Sequence, residues 1–452
     1  MLKGMSVAAT TLGCKVNQAE TDSMLDMLKA AGANIVEFDE KADIYIVNTC
    51  SVTNIADKKS RQMLHRARKM NPDGIVIAAG CYVQSAREIL EQDEAIDIVI
   101  SNNKKKSITE IVNDYINVRN NGKNASGKDH EAMEYFVDIS RETEYEEMGG
   151  HVPVGHTRAY VKIQDGCNQF CSYCIIPYVR GRIRSRSQEA ILAEVSELAE
   201  AGIKEVVLTG IHISSYGKDK NNEGALIELI EAISKIKGIK RIRLGSLEPG
   251  IITEEFVERI SSNSKVCPHF HLSLQSGCDS VLKRMNRKYT CEQYFEKCDM
   301  LRKAYKSPAL TTDVIVGFPG ETEEEFAETV RYLTELNLYE MHIFKYSPRK
   351  GTVAAAMKEQ VAPEIKNERS DVLLKLAHDN KTAYESQFEG CELEVLVEEV
   401  VKKNNKTYLR GHTERYMDIL IDVGDISMPE SFVNSFVYVT YTQNGGNLPL
   451  LL

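Results

Sequence analysis

The chain has 452 residues, 11 cysteines and a net charge of −10, with a pI near 5.6. This length exceeds a single core and suggests roughly three domains at about 150 residues each, and the acidic balance excludes a protein coated in positive charge, so any nucleic-acid contact must be local. No apolar run reaches the roughly 18 residues of a membrane span and nothing near Met1 reads as a signal peptide, so a cytoplasmic protein with no membrane partner is expected. In that setting an odd number of scattered cysteines points to reduced thiols or metal ligands rather than disulfides.

From residue 6 to about 116, apolar runs at 7–9, 44–47 and 75–77 alternate with amphipathic stretches at 19–31 and 55–70. Strand, helix, strand, helix, strand predicts a parallel α/β sheet. Each of the three strands ends at a cysteine: Cys14 in TLGCKVNQ, Cys50 in VNTCSVTN and Cys81 in AAGCYVQ. Ligands collect at the carboxyl ends of such strands, so the three thiols can converge on one site. Small buried core cysteines are the competing reading. Residues 117–155 are polar and charged and read as a linker, which divides the chain into segments 1–117, 118–155, 156–388 and 389–452.

Six strand-like segments follow, at 159–163, 206–208, 242–244, 270–274, 314–316 and 342–346, separated by helical patterns. They predict a partial (β/α)6 barrel with its chemistry in the loops at the carboxyl ends of the strands. The first such loop is CNQFCSYC, which carries Cys167, Cys171 and Cys174. Three thiolates within eight residues can hold three irons of a [4Fe–4S] cluster, which would leave the fourth iron open. A zinc knuckle is the rival, although structural zinc sites usually read CxxC…CxxC and close with four ligands. Gly210, Ser246, Glu248, Gln275 and Gly317 recur at the same ends of later strands and are candidate cofactor contacts; each is also compatible with an ordinary tight turn. A helix is expected over 363–388, and a two-residue rhythm at 392–397, 406–410, 418–423 and 432–441 predicts a small antiparallel barrel.

Basic residues are clustered. Arg180, Arg182, Arg184 and Arg186 alternate, so an extended segment would turn all four to one side, where they are expected to meet RNA phosphate; pairing of some with carboxylates is the other reading. Lys58, Arg61, His65 and Arg68 recur at helical spacing near Cys50, and Lys402 and Lys403 fall in a candidate loop of the terminal barrel; Lys58, Arg61, Lys402 and Lys403 are candidate RNA contacts, with a solvated face as the other reading for the barrel lysines. The remaining cysteines, Cys267, Cys278, Cys291, Cys298 and Cys391, show no ligand spacing and are assigned to structure.

The stretch CNQFCSYCIIPYVRGRIRSR, together with TLGCKVNQAE, VNTCSVTNIADKKSRQ and AGCYVQ, resembles the radical S-adenosylmethionine (SAM) methylthiotransferases along essentially the whole chain. The three N-terminal loops are spelled as in the branch acting on N6-threonylcarbamoyladenosine at tRNA position 37. The resemblance implies an α/β domain, a radical SAM barrel and a C-terminal OB-like TRAM barrel. It implies conversion of C–H to C–SCH3 at C2 of the adenine, with two SAM molecules and two [4Fe–4S] clusters. Cys14, Cys50 and Cys81 would hold an auxiliary cluster that carries sulfur; Cys167, Cys171 and Cys174 would hold the cluster that cleaves SAM, with Tyr173 beside it. No catalytic side chain beyond the clusters is implied. The implied partners are the tRNA anticodon loop, an electron donor and a sulfur donor. The alternatives are an isopentenyladenosine-37 or ribosomal-aspartate substrate in the same family and, further off, a non-enzymatic Fe–S RNA-binding sensor.

Overall fold

In the computed structural model, residues 2–120, 135–149, 157–404, 406–424, 428–442 and 445–447 are described. The N-terminal part runs β1 (Ser6–Thr11), α1 (Lys15–Ala30), β2 (Asn34–Val36), β3 (Ile44–Thr49), α2 (Asn54–Met70), β4 (Ile75–Gly80), α3 (Cys81–Ser85), α4 (Arg87–Glu91), β5 (Ile98–Ile100) and α5 (Ile108–Asn120). Its sheet has the order β2-β1-β3-β4-β5 and every pair is parallel. All residues of β3 and β4 are buried, as continuous apolar runs require when both faces are covered. The strand order reverses between β1 and β3, and the crevice at their carboxyl ends is where such sheets bind ligands. Of the expected linker, residues 121–134 and 150–156 lie outside the described residues. Residues 135–149 pack against both neighbours: the Tyr135 carbonyl accepts from the Ser101 amide at 3.2 Å, and the Tyr145 hydroxyl donates to the Lys162 carbonyl at 3.0 Å.

The second part runs β6 (Arg158–Asp165), α6 (Ile176–Val179), β7 (Arg184–Ser185), α7 (Gln188–Glu200), β8 (Glu205–Gly210), α8 (Ala225–Ser234), β9 (Arg241–Leu244), α9 (Glu254–Ser261), β10 (His269–His271), α10 (Asp279–Arg284), α11 (Cys291–Ala304), β11 (Ala309–Val316), α12 (Glu323–Leu336) and β12 (Glu340–Lys345). Strands β6, β8 and β9 pair in parallel, as do β10, β11 and β12, and parallel bridges Ile242–Val266 and Leu247–Leu272 join the two groups into one wall. Among the described residues β12 pairs only with β11, so the barrel is open along that edge. One large apolar core, including Val161, Leu208, Leu244, Phe270, Val314 and Met341, lies between this wall and its helices.

Helix α13 (Pro363–Ser386) leads to β13 (Glu392–Lys403), β14 (Lys406–Thr413), β15 (Asp418–Asp422), β16 (Phe436–Thr442) and β17 (Gly445–Asn447), which close as β13-β14-β15-β17-β16. Strand β17 was not anticipated, because its Gly-Gly-Asn carries no apolar alternation. The terminal barrel is held to the central one by buried arginines: Arg241 donates to the His412 carbonyl at 3.0 Å and Arg243 to that of Glu414 at 2.9 Å. Among the described residues no helix is long and apolar enough to cross a membrane.

Candidate active site

Cys14, Cys50 and Cys81 follow β1, β3 and β4, so the topology alone brings them to one sheet end. Burial, then the neighbouring Cys81 and Cys14, push the Cys50 thiol up to about 11. Thiols this close resist ionising together unless a cation sits among them, which is the donor set an iron cluster requires. The chain around them is drawn tight: Gly13 has φ +104°, and a Cβ there would lie 2.8 Å from the Cys50 Sγ.

Behind Cys81 lies a buried ionic network that the spacing of the sequence did not reveal. Arg180 donates from Nε to the Cys81 Sγ at 3.2 Å, and from its two Nη atoms to Asn17 Oδ1 at 2.5 Å, Glu20 Oε2 at 3.0 Å and Asp165 Oδ2 at 3.1 Å. Lys162 donates to Glu20 at 2.7 Å and Asp165 at 2.6 Å, and Lys105 donates to Glu20. Although burial opposes it, Arg180 and then Lys105 and Lys162 hold the Glu20 carboxyl well below the usual carboxylate range. Arg180, Lys162 and Lys105 therefore share Glu20 and Asp165, with buried Arg184 3.9 Å from Asp165, and the network reaches the Cys81 sulfur through Arg180. Glu20 stands on α1, whereas Arg180, Lys162 and Asp165 belong to the barrel, so the network also locks the two parts together.

The second triplet, Cys167, Cys171 and Cys174, lies in the loop from β6 to α6. Gly166 starts this loop at φ +72°, where a Cβ would sit 1.8 Å from the Arg182 carbonyl oxygen. The Ser172 amide donates to the Met285 carbonyl at 3.0 Å, its hydroxyl to the Arg284 carbonyl at 2.8 Å, and Asn286 Nδ2 to the Phe170 carbonyl at 3.0 Å. Burial pushes Cys167 up to about 11 and Cys174 to about 12. Arg287, also unforeseen, ties this loop to the barrel: it donates to Cys171 Sγ at 3.2 Å, to both Glu248 oxygens at 2.9 Å, to the Ser273 carbonyl at 3.1 Å and to the Tyr289 hydroxyl at 2.8 Å. Glu248 is thereby fixed beside the thiols, and His212 Nε2, which has no hydrogen-bond partner, lies 3.6 Å from it.

The other expected cofactor contacts are dispersed along the same rim. Gly210 ends β8 against Gln164, Ser246 is exposed beyond β9, and Gln275 bridges Asp313 and Ile315 through its backbone at φ +77°. Gly317 donates its amide to Glu321 Oε2 at 2.6 Å, and Glu321 is held in turn by Arg369 at 2.7 Å. Tyr173 packs against the cluster of Met285, Phe318 and Tyr346. Burial, then Cys171, raises its hydroxyl well above the ordinary tyrosine value.

The arginines require a correction. Alternation suggested one phosphate-facing row, but Arg180, Arg184 and Arg186 are 0%, 1% and 4% exposed. Arg184 donates to the Arg180 and Arg182 carbonyls, and Arg186 pairs with Glu147 and Glu194. Side chains so enclosed cannot meet a polyanion. Arg182 alone of the four is exposed, over the ring of Phe170 at 4.6 Å. On α2, Lys58 is exposed and Arg61 donates to the Tyr82 hydroxyl at 2.5 Å, while His65 and Arg68 pair with Asp93 and Asp97. Lys402 and Lys403 are exposed, at the end of β13 rather than in a loop. Of the five unassigned cysteines, Cys267, Cys278 and Cys298 are buried, Cys291 is partly buried and Cys391 is exposed.

An open parallel barrel with a three-cysteine loop on its first strand end defines a radical SAM enzyme. The radical SAM superfamily model matches residues 161–333, and the model of an uncharacterized protein family, UPF0004, matches residues 6–101. The chain belongs to the radical SAM tRNA methylthiotransferases. It is 40% identical over 416 residues to the threonylcarbamoyladenosine tRNA methylthiotransferase MtaB of Bacillus subtilis (strain 168), covering 92% of this chain and 90% of that one. The protein of the same name from Aquifex aeolicus (strain VF5) is 38% identical, with 92% and 98% covered. A tRNA-2-methylthio-N(6)-dimethylallyladenosine synthase of Thermoanaerobacter pseudethanolicus is 35% identical, with 96% and 90% covered. Among solved structures, the radical SAM methyltransferase TsrM from Kitasatospora setae, with cobalamin and a [4Fe–4S] cluster bound, shares the fold at a TM-score of 0.53 and 14% identity over 76% of this chain and 77% of that one. The family's cofactors are SAM and two [4Fe–4S] clusters, and the two thiol triplets fit them.

Proposed function

We propose that this enzyme methylthiolates C2 of N6-threonylcarbamoyladenosine at position 37 of tRNA, in the cytoplasm, with its six site cysteines holding the two clusters. The observation that carries this reading is the pair of thiol triplets, Cys14/Cys50/Cys81 and Cys167/Cys171/Cys174, on strand ends locked together through Arg180. Identities of 40% and 38% to the Bacillus subtilis and Aquifex aeolicus proteins, against 37% and 35% to two dimethylallyladenosine synthases, favour the threonylcarbamoyl substrate. The second reading within the family is the dimethylallyl substrate.

When bound, the clusters and SAM supply sulfur, a methyl group and one-electron cleavage of the sulfonium, chemistry that an unactivated aromatic C–H demands and side chains cannot provide. The chain's own residues position and insulate. Arg180 orients Cys81 and offsets negative charge on its sulfur. Arg287 does the same for Cys171 while presenting Glu248, whose carboxylate suits the ammonium end of SAM. Tyr173 and its apolar neighbours exclude water from one side of the cluster loop, and Gly210, Ser246, Gln275 and Gly317 complete the cofactor rim.

Arg182, Lys58, Arg61, Lys402 and Lys403 remain the RNA-contacting residues in this reading, and the anticodon loop is a fitting target because its bases unstack without melting a duplex. The segments 1–117, 118–155, 156–388 and 389–452 are taken as the methylthiotransferase domain, the linker, the radical SAM core and a TRAM domain of OB-like type. The test is mass spectrometry of tRNA nucleosides from a strain lacking the protein. Loss of 2-methylthio-threonylcarbamoyladenosine is expected; loss of only the dimethylallyl analogue would establish the second reading.

A further inference from the structure

On the inner wall of the central barrel, His271, Asp313 and His342 converge from the neighbouring strands β10, β11 and β12. Their ligand atoms all lie within 4.8 Å of one another. Register makes this unavoidable: Asp313 faces His342 across β11 and β12, and His271 faces Thr311 across β10 and β11. The alternate residues Phe270, Val314 and Met341 enter the core beneath the helices, so the three polar side chains point the other way, into the barrel.

Most charged groups on the remaining inner positions are already spoken for. Lys162 is paired with Glu20 and Asp165, and Arg243 with Glu205 at 2.7 Å. The histidine–aspartate group is different. His271 Nδ1 lies 3.0 Å from the Thr311 hydroxyl, which fixes the ring. Its Nε2 is buried without a hydrogen-bond partner, although Asp313 Oδ2 stands 3.3 Å away. The His342 ring stacks on that of His271 at 5.8 Å and 24° and is exposed along the open edge of the barrel. Phe344, two residues further on the same face, is 47% exposed. An unmet ring nitrogen, a carboxylate and an exposed imidazole thus stand together beside an aromatic face. Two residues beyond His271, the Ser273 carbonyl accepts from Arg287, the side chain that holds Cys171 and Glu248, so this wall adjoins the cofactor rim.

We propose that His271, Asp313 and His342 form the subsite that reads a polar, carboxylate-bearing substituent on N6 of the target adenine, an inference that rests on the substrate reading above. A threonylcarbamoyl group offers ureido N–H and hydroxyl donors for Asp313 and a carboxylate for the imidazoles. With Nδ1 of His271 held against the Thr311 hydroxyl, Nε2 is the ring nitrogen left beside Asp313 for the ligand. A prenyl substituent would leave these groups desolvated and unpaired, which is how a hydrogen-bonding site rejects an apolar analogue.

The test uses the full chain with both clusters reconstituted and two anticodon stem-loops, one with threonylcarbamoyladenosine and one with adenosine at the target position. Equilibrium affinities for both are measured, with kcat/KM for methylthiolation of the first, in wild type and in H342F, H342Q and D313N. His342 is exposed, so its variants fold. The expected result is a wild-type preference for the modified stem-loop that H342F and D313N reduce about tenfold or more, the value of one or two charge-assisted hydrogen bonds, while H342Q retains most of it. H342F with an unchanged preference, or one zinc per chain that H342F loses, overturns the subsite. A wild type that binds SAM and both clusters yet does not methylthiolate the threonylcarbamoyladenosine stem-loop overturns the substrate reading itself.

Discussion

Replacing Glu20 by Gln tests whether the buried network holds the two sites together. The Glu20 oxygens accept from Arg180, Lys162 and Lys105, with Lys162 at 2.7 Å and Arg180 Nη2 at 3.0 Å. A carboxamide keeps one acceptor and turns an N–H2 group towards a cation, leaving Arg180 and Lys162 on the carboxylate of Asp165 and Lys105 without its ionic partner. Removing one partner of a buried pair costs about 3–5 kcal/mol. An independent ceiling comes from Lys105, which is fully enclosed and whose ammonium burial already disfavours. Without Glu20 it can shed its proton, and taking a lysine from its ordinary value near 10.4 to neutrality at pH 7 costs about 4.6 kcal/mol at 1.36 kcal/mol per unit. The two figures agree. At about 4 °C per kcal/mol for a part of about 120 residues, the thermal midpoint of the N-terminal unfolding step falls by roughly 12–20 °C. The sign with pH follows. In the variant Lys105 is neutral when folded and charged when unfolded, so the unfolded state binds more protons and the deficit shrinks as pH rises from 7 towards 10. Calorimetry of wild type and E20Q at pH 7 and 9 reads both effects. A midpoint change under about 2 °C, or a deficit that widens with pH, would refute the reasoning.

Gly166→Ala places a methyl group into the Arg182 carbonyl, 1.8 Å away, at a φ of +72°. The Cys167 loop should fail to close, and iron content should fall from about eight to about four per chain by colorimetric assay. Arg349 donates to Asp57 at 2.6 Å, Ser51 at 2.8 Å and Asn54 at 2.7 Å, clasping the Cys50 loop to the barrel. Its replacement by Ala should cost about 2–4 kcal/mol and be visible as faster proteolysis around α2. Charge reversal at Arg182 should weaken tRNA binding and lower the salt slope by about one, whereas reversal of the buried Arg186 should lower the thermal midpoint instead.

The sheet, the barrel and both cysteine triplets were legible because they rest on local signals: apolar runs of fixed period and thiols at strand ends. Each expected barrel strand overlaps an observed one, although the fourth, expected at 270–274, is His269–His271, and the three-residue β2 and β5 of the N-terminal sheet were too short to register. Arg180, Arg184 and Arg186 were misread because alternation reports which residues share a side and not what that side meets; Asp165, Glu147 and Glu194 supply the carboxylates that bury them. Glu20, Lys105 and Lys162 stood on three different elements separated by up to 142 residues, and no sequence period connects them. Arg287 was hidden for the same reason, 116 residues from the thiol it contacts. The His271–Asp313–His342 group follows from strand register, which one strand's pattern does not carry.

The central claim is that each cysteine triplet holds its own cluster. Iron analysis with Mössbauer spectroscopy on anaerobically reconstituted protein tests it most directly. Wild type should contain about eight irons per chain, and replacing Cys167, Cys171 and Cys174 by Ala should remove about four and leave the spectrum of the Cys14/Cys50/Cys81 cluster intact. Wild-type protein that saturates at about four irons, or a triple variant that loses both clusters, would contradict the account.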